Sequence, residues 1–125
     1  MIYISTPPEG LKPETAKANI KTITDRLLGI GLLAISPLKF GITETWTEKQ
    51  KQDYREKVLR ERASCIFLQK DWNQSDVAKQ EFLSVYKINR TRPASRYIQI
   101  YFEDFGGLTE IEADIRNEIL IPHIV

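Results

Sequence analysis

The run Cys65-Ile66-Phe67-Leu68 and the stretch Asp71-Trp72-Asn73-Gln74-Ser75-Asp76-Val77-Ala78-Lys79-Gln80-Glu81 just beyond it decide the architecture. Four apolar residues with no polar alternate read as a strand buried on both faces, the habit of a parallel sheet covered by helices. The polar loop that follows leads into a helix, with Ser75 at its mouth and Asn73 as an alternative cap. At ~100° per residue, with Val77 at zero, Ile88 falls near ~20°, Val85 near ~80°, Ala78 near ~100° and Phe82 near ~140°. On the same wheel Glu81 lies near ~40°, inside the apolar arc, while Lys79, Gln80 and Lys87 take the wet side. A carboxylate facing the core is costly unless it is paired or has a task.

Outward from this unit, short apolar runs alternate with helical patterns. Ile2–Ser5 is a first strand, and Thr6-Pro7-Pro8-Glu9-Gly10 is a turn-rich loop. A helix runs from Pro13 to Leu28, buried through Ala16, Ile20, Ile23 and Leu27, with Gly29 or Gly31 supplying its left-handed cap. Leu32–Ile35 is a second strand, Lys39–Thr45 a loop, and Thr47–Arg62 a charged helix with Tyr54, Val58 and Leu59 inward. The helix after the third strand spans Asn73–Ile88. Tyr97–Phe102 alternates, with Ile98, Ile100 and Phe102 opposite Tyr97, Gln99 and Tyr101. Thr109-Glu110-Ile111-Glu112 matches a capping box and predicts a last helix to Leu120, with His123–Val125 as a terminal strand. Strands separated by helices give a single doubly wound α/β domain over residues 1–125, flavodoxin- or Rossmann-like, with a mainly parallel sheet of four or five strands.

Composition narrows the function classes. The 125 residues carry a net charge of +1, which offers no bulk attraction to nucleic acid or membranes, so no stable binding to either is expected. The single cysteine, Cys65, excludes a disulfide framework, and neither a metal nor a cofactor is expected. No signal peptide or membrane span is legible, and a cytoplasmic enzyme or binding domain is the default. In open α/β sheets, ligands sit beyond the carboxyl ends of the strands. That edge gathers Thr6–Gly10, Pro37–Thr45, Gln69–Gln74 and the segment after Phe102. A helix mouth there, with the Ser75 hydroxyl, suits a phosphate. Glu81 can instead form a structural ion pair with Arg55, Arg62 or Arg90, and Trp72 can serve simply to anchor its loop.

Met1-Ile2-Tyr3-Ile4-Ser5, Asn19-Ile20, Leu28-x-x-Gly31, Ser36-Pro37 and Trp72-x-x-Ser75 followed by Glu81 together resemble the nucleoside 2-deoxyribosyltransferase-like superfamily, over roughly residues 1–90. The Ser75-to-Glu81 spacing is also similar to that of its nucleotide N-glycoside hydrolases. Val77 stands where the pattern has glycine, Ser64 where it has aspartate, Ser36 where asparagine is common, and Thr6-Pro7-Pro8 where Gly-Pro is usual. The resemblance implies that Glu81 attacks the anomeric carbon of a nucleoside or nucleoside monophosphate. It implies Ser75 near the 5′-phosphate and substrate contacts from Tyr3, Ser5 and Trp72. Glu56 aligns best as the second acid, with Asp53 and Asp76 as alternatives. It further implies a homo-oligomer. The competing expectations are a noncatalytic nucleotide-binding or sensing domain that keeps the pocket, and an assembly protein using Tyr97–Val125.

Overall fold

A computed structural model describes residues 1–37 and 45–117. Among these residues four strands form one parallel sheet: β1 (Ile2–Ile4), β2 (Ala34–Ile35), β3 (Cys65–Leu68) and β4 (Gln99–Phe102), in the order β2-β1-β3-β4. Between and after them run α1 (Pro13–Gly29), α2 (Glu48–Arg62), α3 (Asp76–Arg90) and α4 (Gly107–Arg116). Tyr3 pairs with Ile35 and Ile66, and Ile66 with Ile100, so inward and outward side chains stay in step across the sheet.

That register divides the core in two. Ile2, Ile4, Cys65, Phe67 and Tyr101 meet Ile20, Ile23 and Leu27 of α1 and Ile111 of α4. Tyr3, Ile66, Leu68 and Ile98 meet Val58 and Leu59 of α2 and Val85 and Ile88 of α3. Helices therefore cover both faces, the doubly wound arrangement expected from the uniformly apolar strands. Successive strands step to one side of β1 and then to the other, which opens a switch point beyond the ends of β1 and β3.

Several boundaries differ from the periodicity, each for a local reason. Leu32 is not in β2: its N–H bonds back to the Leu27 carbonyl at 3.0 Å, and that of Gly31 to Leu28 at 3.0 Å. Gly31, at φ +85°, is the left-handed residue of this cap. The helix expected from Asn73 begins at Asp76, because Trp72–Gln74 forms a separate 3-10 turn and Ser75 is the extended cap. Tyr97 and Ile98 precede β4; both backbone groups of Ile98 bond the Asn89 side-chain amide, at 2.8 and 3.1 Å. The last helix starts at Gly107 rather than at a Thr109 cap. A Cβ on Gly107 would stand 2.7 Å from the Phe102 carbonyl oxygen, so only glycine permits this close approach. The expected continuation to Leu120, the His123–Val125 strand and most of the Lys39–Thr45 loop lie outside the described residues.

Candidate functional site

Glu81 occupies the inner face of α3 with Ala78, Ser84, Val85 and Ile88, as its helical phase requires. Helical side chains lean toward the N-terminus of their helix, which carries this carboxylate toward the carboxyl edge of the sheet. There the Tyr3 hydroxyl donates a short hydrogen bond to Oε2, and the Thr6 backbone N–H donates to Oε1 at 2.7 Å. Glu81 is only 2% exposed. Its orientation is thus fixed from two directions, by β1 and by the loop that leaves β1.

Burial pushes the Glu81 carboxyl up from 4.5 to about 7. The Tyr3 hydroxyl, Thr6 and the charge of Arg55 pull in the other direction without cancelling that burial. The Thr6 hydroxyl faces the same carboxylate but makes no well-aligned hydrogen bond, so the Thr6 N–H is the contact that anchors it. Tyr3 is held well above the usual phenol range, first by burial and then by the adjacent Glu81 charge. A carboxyl group with its pKa near neutrality exchanges its proton readily at physiological pH, which suits a nucleophile or a general base.

The other expected site residues spread along the same edge. Ser75 is the helix cap, its Oγ accepting from the Ala78 N–H at 3.1 Å, and it is fully buried. Ser5 joins β1 to the end of β3: its Oγ accepts from the Gln69 N–H at 3.0 Å, and its carbonyl from the Gln69 side-chain amide at 2.6 Å. Trp72 packs on Phe82 and Phe102, with ring centroids 5.1 and 5.8 Å apart, as a loop anchor would. Only Tyr3 touches Glu81 directly among these. Glu56 lies on the flank of α2, half-buried, with its carboxylate 3.3 Å from Arg60. Arg55, one residue earlier, is the α2 side chain turned inward, at 7% exposure. Neither Arg55, Arg62 nor Arg90 forms an ion pair with Glu81 among the described residues; Arg55 acts on it through its charge alone. Ser64 bonds to Met1 at the opposite end of β3, far along the strand from this edge.

A cavity of about 530 Å³ opens beside the switch point, on the α1 side, lined among others by Gly10, Asn19, Gln69, Asp71, Gln74 and Glu103. Its size is that of a small-molecule site. Glu81 is not on its wall, but Gln69, which holds Ser5, is. Among the described residues no three His, Cys, Asp or Glu side chains gather as metal ligands, and no helix is long and apolar enough to cross a membrane. No known protein family and no curated protein matches the chain.

Proposed function

We propose that the chain cleaves the N-glycosidic bond of a nucleoside or nucleoside monophosphate, with Glu81 as nucleophile. The observation that carries this is the Glu81 carboxylate itself: buried at the ligand edge, oriented by Tyr3 and the Thr6 N–H, and held near a pKa of 7. In the proposed reaction one carboxylate oxygen attacks the anomeric carbon as the bond to the base breaks, giving a glycosyl ester on Glu81. The departing base takes a proton from an acid, for which Glu56 is the candidate carried by family resemblance. Water then releases the sugar in a hydrolase, or a second base in a transferase. Tyr3 acts by orienting the carboxylate, and Ser5, Trp72 and Ser75 shape the surrounding edge. A cytoplasmic setting and a homo-oligomer belong to the same proposal; Leu83 and Tyr86, exposed one turn apart on α3, are the apolar groups an interface would cover.

Base release from nucleosides and their monophosphates, followed by chromatography with and without an acceptor base, tests this directly. Glu81→Ala is expected to abolish release with the fold retained. Unchanged turnover in that variant ends the proposal. One observation favours a second assignment, a noncatalytic nucleotide-binding domain: both Glu81 oxygens are already engaged and almost no surface of the residue reaches solvent. In that case nucleotides raise the melting temperature and no base appears.

A further inference from the structure

We propose that Arg55 and the Thr6 hydroxyl form an oxyanion subsite beside Glu81, built to hold the phosphoryl group of a nucleotide. The proposal rests on Glu81 being the carboxylate that faces the ligand. Among the described residues, the buried side-chain polar atoms left without a hydrogen bond are Thr6 Oγ1 and Arg55 Nε. Thr6 gives its N–H to Glu81, and Arg55 stands on the α2 stripe that packs with Tyr3, the other donor to Glu81, so the two orphaned atoms belong to elements that meet at this carboxylate. Natural proteins leave few such atoms unsatisfied, and a ligand is one of the standard reasons.

Arg55 is more than nine-tenths buried and has no carboxylate within ion-pair distance among the described residues. It lies one turn before Val58 and Leu59, the α2 residues that pack with Tyr3, and this register turns it toward the Tyr3–Glu81 pair. Glu81 does not satisfy it: the donors to its two oxygens are the Tyr3 hydroxyl and the Thr6 N–H, and Arg55 Nε bonds neither. A guanidinium only donates, and the Thr6 hydroxyl has a proton to give. The missing partner is therefore an acceptor, and a buried guanidinium with no ion pair among the described residues favours an anionic one. A phosphoryl group matches on both counts, with oxygens spaced for the guanidinium fork. Thr6 also begins the loop at the carboxyl edge of β1, where ligands reach such sheets. At the mouth of α3, by contrast, the Ser75 hydroxyl is already engaged as the helix cap, accepting from the Ala78 N–H at 3.1 Å.

The test compares the full chain with Arg55→Gln and Arg55→Lys, using inorganic phosphate, a deoxynucleoside 5′-monophosphate and the matching deoxynucleoside as probes in thermal-shift and calorimetric titrations. The monophosphate is expected to raise the melting temperature more than the nucleoside does. A shift with inorganic phosphate as well marks a site for the free ion, and a shift with the monophosphate alone marks one that needs the nucleoside too; either supports the subsite. Arg55→Gln should weaken the monophosphate by roughly thirtyfold or more, leave the nucleoside unchanged, and Arg55→Lys should recover part of the loss. Circular dichroism of both variants guards against misfolding. No shift in the unmodified chain, or an undiminished one in Arg55→Gln, overturns the subsite. Base release from unphosphorylated nucleosides separates the two proposals. Phosphate binding through Arg55 without any release would sink the Glu81 chemistry alone, and release without phosphate preference would sink the subsite alone.

Discussion

Two tyrosine–carboxylate pairs lie on opposite faces of the sheet, and their difference separates a structural contact from a candidate site. Tyr101 of β4 donates to Asp114 of α4 at 2.7 Å, and Tyr3 of β1 donates to Glu81 of α3. Both phenols are buried and held above their ordinary range, burial being the first cause in each. The carboxylates differ. Asp114 is half-buried, so water shares the solvation of its charge. Glu81 is sealed at 2% exposure, takes a second hydrogen bond from a loop N–H, and feels the charge of Arg55, which has no ion pair among the described residues. One pair fastens a helix to an edge strand. The other holds an ionisable group at the sheet edge where α/β folds bind ligands.

The largest effect should come from removing the charge. Glu81 has an ordinary value of 4.5 and a folded value of about 7, so the native state binds its proton more tightly than the unfolded chain does. Its contribution is fully present below 4.5 and is lost as pH rises through about 7, a change of about 3 kcal/mol. Urea unfolding from pH 4.5 to 8 is expected to show the unmodified chain weakening relative to Glu81→Gln by about that amount. Glutamine keeps an oxygen for the Thr6 N–H, and its amide can donate to the Tyr3 oxygen. Asp114→Asn should retain the full decline and cost under about 1 kcal/mol at any pH, because its carbonyl still accepts from Tyr101. Parallel curves for the unmodified chain and Glu81→Gln would remove the distinction between the two pairs.

Deleting each phenol oxygen sharpens the same contrast. Tyr3→Phe leaves a buried charge with one hydrogen bond fewer, at a cost of about 1.5–3 kcal/mol above pH 7, whereas Tyr101→Phe should cost about 0.5–1.5 kcal/mol. Only Tyr3→Phe should push Glu81 still higher, because the lost donor favoured the ionised form. If Glu81 is the nucleophile, the ascending limb of the pH–rate profile moves up with it. Equal costs, or a limb that stays in place, would mean that Tyr3 does not tune Glu81.

Much of the architecture was legible because it depends on local periodicity. The unbroken Cys65–Leu68 run marked β3 to the residue, and Ala16, Ile20, Ile23 and Leu27 are the buried stripe of α1. The start of α4 was not, because it turns on how closely Gly107 approaches Phe102, a contact no propensity encodes. The site divides along the same line. Helical phase alone placed Glu81 inward. Its partners Tyr3 and Thr6 are brought to it by sheet register across more than seventy residues. Arg55 shares the helical stripe of Val58 and Leu59, so its inward phase was legible, but that its Nε would be left without a hydrogen bond depends on tertiary contacts and was not.

A third carboxylate should have the smallest effect on stability while bearing separately on the chemistry. Glu56 meets Arg60 one helical turn away at 3.3 Å, with Arg60 open to water and Glu56 half-buried. Such pairs are worth about 0.3–0.5 kcal/mol, so Glu56→Gln should move the unfolding midpoint barely at all. Glu56 follows the inward Arg55 in α2, and giving up its contact with Arg60 costs no more than that small amount. If Glu56 is the acid that protonates the leaving base, Glu56→Gln lowers base release by about a hundredfold or more without a matching loss of stability. Turnover that survives the substitution would leave Glu56 as the counter-ion of Arg60, and the proton for the base would then come from solvent or from another acid at the edge.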